Sequence, residues 1–336
     1  MNKVRLKFFI KLLVSCTLLA YLVLQTDLEG IWQATKNTQW PLVALVFLLF
    51  FVHFYIGTFR WRALARLHGA NPRLSYLFRS YMVANFFNNF LPSTIGGDIV
   101  RMHDTWRAGT SKSGAAATIF VERILGVLTL AVLGAVGMFL LGSQDFFPSN
   151  LQWLVGILIF GLLTIVVLLF YPPSWWTRLI QRAADSNIVG LSRTAGIFRQ
   201  ASGEFRGARK TLVLALLVSF FVQGIVILEY YLIGVAIGID LHPAIYVVIV
   251  PLALVMIMLP ISINGIGLRE GVFTVLFGLF GVSVASALVF SWIFYALFVA
   301  HGILGGVVYM LRKDRLQIPT VPVPAISRQR RQTPPR

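Results

Sequence analysis

Residues 90–101 read FLPSTIGGDIVR, and residues 259–271 read LPISINGIGLREG. Both stretches interrupt long apolar runs with proline, glycine and charge. In a bilayer every backbone N–H and C=O must find an internal partner. Irregular backbone at depth therefore persists only where protein covers it or where it lines a cavity. The two stretches predict helices broken inside a membrane, with Pro92, Pro260, Gly265 and Gly267 as the breaking residues.

The composition around them agrees with a membrane setting. Hydrophobic residues make up 57% of the 336 and charged residues 12%, and the apolar residues come in runs long enough to cross a hydrocarbon core. The net charge of +17 follows topology: of 29 Lys and Arg, only Lys36 falls in a loop assigned to the outside. This positive-inside pattern places both termini in the cytoplasm and the chain in the plasma (inner) membrane, near anionic headgroups. It also accounts for the basic charge without nucleic acid as a partner. The single cysteine, Cys16, excludes an intrachain disulfide and a cysteine metal site. Residues 1–25 open with Lys3, Arg5 and Lys7 but lack a small-residue cleavage site, and read as a retained first span.

The expected fold is an all-α polytopic helix bundle. Full spans are predicted at about 6–25, 41–59, 113–142, 151–171, 211–236 and 284–311. Arg60, Arg62, Arg66 and Arg73 place the end of the second span in the cytoplasm, and the longest basic loop, 172–210, is expected to hold interfacial amphipathic helix. Residues 76–100 enter and return on the cytoplasmic side as one re-entrant pair, and residues 244–283 form a second from outside. Two extra short spans in that second region satisfy the same charge rule, which makes eight spans the alternative. With the re-entrant pairs, each half of a single membrane domain (residues 1–315; halves 1–142 and 151–311) is span, span, re-entrant pair, span. The halves start from opposite faces, as in an inverted-topology repeat, in which such breaks mark the binding site of a transporter. The tail 316–336, rich in proline and arginine, is expected to be disordered and cytoplasmic.

Four acids, Asp98, Glu122, Glu229 and Glu270, lie within or beside apolar runs, with Arg101, Arg123 and Arg269 as their natural partners. A charge at the centre of a spanning helix costs roughly 2.5–3.5 kcal/mol on insertion scales, so such residues face a partner or a wet cavity. Neighbours on a helix diverge by about 100°, so Glu122 with Arg123, and Arg269 with Glu270, must seek partners on other segments. Asp98 and Arg101 are spaced to meet each other. Gly96 and Gly97 can offer backbone N–H groups to a phosphate beside Arg101, or permit a tight turn with Asp98 as N-cap. Asn264, Gly265 and Gly267 admit the same two readings. Asn85, Asn88 and Asn89 can bind a headgroup or satisfy freed backbone. Glu229 can carry a proton or serve as a hydrogen-bonded structural acid.

His53, His68, His103, His242 and His301 have no metal-ligand spacing, and no nucleophile elbow, Walker loop or dinucleotide motif is present. No cofactor, metal or catalytic residue is expected. The motifs NNFLPSTIGGDIVR, TIFVERILGVLTL and LPISINGIGLREGVF, in that order, resemble the flippase-like family of the lysylphosphatidylglycerol synthase transmembrane region, over about residues 5–313. The resemblance implies a module that moves, or presents for modification, a phospholipid or polyprenyl-linked lipid whose polar head crosses the bilayer. It implies no aminoacyl transferase activity for a chain expected to end shortly after its last span. The alternatives are an accessory presenting a lipid carrier to a partner glycosyltransferase or synthase, and a proton-coupled transporter of a small solute.

Overall fold

The computed structural model describes residues 28–90, 96–141, 208–258, 262 and 264–312, with isolated helical positions at 17, 157, 160, 161, 164, 178, 179, 181 and 182. The first span, the span at 151–171, Pro92, Pro260, nearly all of the loop 172–210 and the tail lie outside these residues. The described residues form nine helices and no strand: α1 (Leu28–Lys36), α2 (Trp40–Arg66), α3 (Leu74–Phe90), α4 (Gly96–Arg107), α5 (Lys112–Leu140), α6 (Arg209–Ala236), α7 (Pro243–Ile257), α8 (Leu268–Gly278) and α9 (Val284–Leu311). Four of them, α2, α5, α6 and α9, are long and apolar enough to cross a membrane. At 1.5 Å per residue α2 extends about 40 Å, whereas α3, α4, α7 and α8 reach only about 15–25 Å each.

Local sequence explains the boundaries. Pro41 starts α2 and Pro243 starts α7, at positions whose missing N–H is no loss. Ser111 caps α5 by accepting from Gly114 N at 2.9 Å, and Ser283 caps α9 by accepting from Ser286 N at 3.2 Å. Gly267, at φ 79°, turns the chain into α8 in a left-handed conformation. The second span proves longer than the sequence reading allowed, because RWRALAR continues the helix to Arg66.

Packing follows a simple scheme. The long helices α2 and α6 lie along each other; α3 lies on α9, and α5 on α7. The short helix α4 contacts α3 and α5, and α8 contacts α7 and α9. Further contacts join α2 to α3, α5 and α9, and α6 to α5, α7 and α9. The α3–α9 seam is a backbone contact: a Cβ added at Gly305 would lie 1.9 Å from Met82 O, and one at Gly302 would meet Asn89 at 2.3 Å. Inside, Tyr230 stacks on Phe294 at 3.7 Å between ring centres, within a cluster that includes Phe273, Phe277 and Phe290. Outside, Leu48, Phe139, Phe221 and Met310 are exposed. Helices apolar on both faces need hydrocarbon on the outer one.

Candidate functional site

The site grows from the ends of the broken helices, whose last N–H and C=O groups lack helical partners. At α4 the Gly97 N–H donates to Asn88 Oδ1 at 2.8 Å. Only glycine fits there, since a Cβ would lie 2.4 Å from Ala84 O. At the end of α3, the Asn89 carbonyl accepts from Asn264 Nδ2 at 2.7 Å, so a side chain of the second break caps a helix of the first. Asn264 sits at φ 52°, a left-handed geometry that asparagine tolerates. Asn89 Nδ2 in turn donates to the carbonyls of Asn85 and Phe298. At α8, Glu270 Oε2 accepts from Gly267 N at 2.7 Å, which satisfies an orphan donor and sets a negative charge at the positive helix end.

The charged residues assemble across four helices. Glu122 on α5 accepts from Arg60 of α2 at 2.7 Å through one oxygen and from Arg101 of α4 through the other. Arg60 also donates to Ser219 of α6 at 2.8 Å. Arg101 lies over the rings of Trp61 and Tyr81, at 4.5 and 4.6 Å from their centres. Asp98 of α4 pairs with Arg123 of α5 at 2.5 Å. On the second break, Arg269 donates to the Asn264 carbonyl at 3.0 Å and covers the Tyr295 ring at 4.4 Å. No carboxylate among the described residues lies within ion-pair reach of it, and its Nη1 is buried without a protein acceptor.

These groups border one cavity of about 440 Å³. Of the predicted residues, Asn85, Asn88, Asp98, Arg101, Glu122, Arg123, Asn264 and Arg269 line it, drawn from both breaks. Asn89, Gly96, Gly97, Glu229 and Glu270 do not. Several expectations need correction. Asp98 and Arg101 do not pair with each other; each reaches across to α5, because Arg123 and Glu122 diverge there as adjacent helical residues do. Gly97 cannot offer its N–H to a phosphate, since Asn88 holds it. Glu270 caps α8 rather than holding an arginine. Glu229 meets a histidine rather than an arginine: His53 Nδ1 lies 2.7 Å from its Oε1, in the apolar contact of α2 and α6.

Sequence reasoning missed Arg60, counted there as one of four topology markers. It is buried and lines the cavity, whereas its neighbours Arg62 and Arg66 bond Asn71 near the surface. The spacing held the signal: Val43, Val46, Phe50, His53, Gly57, Arg60 and Leu64 follow a three-four rhythm, and all are buried. Gln223 and Tyr230 of α6 also line the cavity and had been passed over as ordinary span residues. Among the described residues no cluster of His, Cys, Asp and Glu could hold a metal ion.

Comparison with known proteins agrees with this architecture. The chain is 25% identical over 299 residues to a UPF0104 membrane protein of Methanothermobacter thermautotrophicus, covering 82% of this chain and 86% of that one. It is 24% identical over 162 residues to a UPF0104 membrane protein of Archaeoglobus fulgidus, 48% of each chain. The family described as the lysylphosphatidylglycerol synthase TM region matches residues 8–305. A multi-pass bundle of apolar helices matched over most of its length, this chain belongs to the lysylphosphatidylglycerol synthase TM region family.

Proposed function

We propose that the protein is a lipid translocase, not an enzyme, and that a phosphate-bearing headgroup occupies the cavity between the breaks while the acyl or prenyl chains stay in the bilayer. The observation that carries this reading is Arg269, a buried cation without a carboxylate partner on the wall of a cavity that also holds Arg60, Arg101 and Arg123. A buried guanidinium in so apolar a molecule asks for an anion. The cavity lies between four long apolar helices, where a lipid can present its head without its tails leaving hydrocarbon.

The same reading takes the short helices as two re-entrant pairs in an inverted repeat, in a plasma membrane with both termini cytoplasmic. Exchanging α2 with α6, α3 with α7, α4 with α8 and α5 with α9 turns the neighbour scheme of these eight helices into itself, which supports the repeat. Alternating exposure then amounts to a rearrangement of one half against the other about the cavity.

The test is reconstitution into phosphatidylcholine vesicles carrying a trace of acyl-labelled anionic phospholipid or polyprenyl phosphate. Wild-type protein is expected to move label between leaflets faster than empty vesicles, Arg269→Gln to abolish the gain, and Arg62→Gln, which does not line the cavity, to keep it. Equal rates for wild type and Arg269→Gln would remove the proposal. The family's description as a region of a synthase favours a second reading, a module that presents lipid to a partner enzyme. Lipid binding without movement, together with stimulation of a lipid-modifying enzyme, marks that case.

A further inference from the structure

Each of the four acids within or beside the apolar runs has a partner. Asp98 is held by Arg123, Glu122 is shared by Arg60 and Arg101, Glu229 faces His53, and Glu270 accepts from Gly267 N. The break residues outside the described set, LPSTI at 91–95, LPI at 259–261 and Ile263, contain no acid, and neither do the apolar runs 6–25 and 151–171. Among the described residues, then, both carboxylates of the cavity wall are already engaged by arginines, and none is left to receive a positively charged group.

The cations are in excess. Arg60, Arg101, Arg123 and Arg269 stand against Asp98 and Glu122 on the cavity wall, a formal surplus of two positive charges. The buried hydrogen-bonding atoms lean the same way. Among the described residues, Arg60 Nε, Arg101 Nε, Arg269 Nη1 and Asn85 Nδ2 are donors without a protein acceptor, against one cavity-lining acceptor in that position, Asn264 Oδ1. Asn85 is 4% exposed and Arg269 8%, and they come from different breaks. Both are buried donors on a wall that asks for oxygen ligands.

From this we infer that the cavity selects a net-anionic lipid phosphate whose headgroup carries no ammonium, and discriminates against ethanolamine and aminoacylated headgroups. The inference rests on the translocase reading only for the cavity being the lipid site. A lysyl ester brings two ammonium groups to one phosphate; here they would meet guanidinium with no carboxylate to answer them. The source of the phosphate is either a phospholipid or a polyprenyl carrier, and both present the same chemistry.

The test is native mass spectrometry of protein extracted from phosphatidylcholine vesicles that contain equal amounts of phosphatidylglycerol, a polyprenyl monophosphate, phosphatidylethanolamine and lysylphosphatidylglycerol. One or both of the first two are expected to be retained about tenfold over the last two, the effect of a single charged hydrogen bond gained or opposed. Retention of phosphatidylglycerol alone names the phospholipid, and of polyprenyl phosphate alone the carrier. Arg269→Gln is expected to level the four, and Asn85→Asp, which adds a carboxylate to the wall, to shift retention toward the ammonium-bearing pair. Equal or greater retention of phosphatidylethanolamine or lysylphosphatidylglycerol by the wild type overturns the inference, as does retention of none. Selective retention without movement in the vesicle assay overturns the translocase alone; movement with no headgroup preference overturns the selectivity alone.

Discussion

The two breaks are built from similar sequence and end in different electrostatics. At the first, α4 is bound to α5 by two ion pairs, Asp98 with Arg123 and Arg101 with Glu122, and Glu122 also takes Arg60. At the second, Glu270 turns inward to cap α8, and Arg269 keeps only a carbonyl and an aromatic ring. Among the described residues, every charge at one break stands in an ion pair, and at the other an arginine stands without one. The difference teaches that charges of equal rarity in apolar segments can be divided between ion pairs that join helices and a cation that makes none.

The contrast yields graded expectations, the largest at its hub. Glu122→Gln leaves Arg60 and Arg101 without their shared carboxylate in a buried setting, and about 3–5 kcal/mol of stability is expected to go. Thermal unfolding in detergent reads this as a large fall in Tm; a melting curve like that of wild type would erase the idea of a first break held by its ion pairs. Asp98→Asn strikes the same break at its rim, where the Arg123 side chain is 41% exposed, and water can take over much of the lost pairing. The expected loss is about 1 kcal/mol. Glu270→Ala removes one helix cap and is expected to cost about 1 kcal/mol as well, visible as faster hydrogen exchange at Gly267 and through the first turn of α8. Smallest in stability is Arg269→Gln, within about 1 kcal/mol of wild type, because no ion partner is stranded. Its effect belongs in lipid retention and movement. A Tm drop comparable to that of Glu122→Gln would make the two breaks alike after all.

Much of this was legible in the chain. Proline and glycine within apolar runs pointed to where helices stop, and the described helices end at Phe90 and Ile257 and resume at Gly96 and Leu268, while the ends of α5, α6 and α9 fell within a few residues of the hydropathy limits. That Glu122 and Arg123 would seek partners on other segments followed from helical geometry alone. The identity of those partners did not. Arg60 lies in a run whose other arginines face outward, and the run as a whole reads as a topology signal; only the inward rhythm that begins at Val43 separates it. Glu270 was misjudged because backbone donors at a helix start compete with an arginine for the same carboxylate, and the nearer donor won. The partner of Glu229 was not legible because His53 lies 176 positions away in the chain.

The bond from Asn264 to the Asn89 carbonyl has a mechanical consequence. Among the described residues it is the one side-chain hydrogen bond between the two segments, anchored on one side to a helix end and on the other to a residue whose backbone admits few substitutes. Breaking that bond costs about 1 kcal/mol, less than twice the thermal energy, so it latches Asn264 to the end of α3 only as firmly as ordinary fluctuation allows.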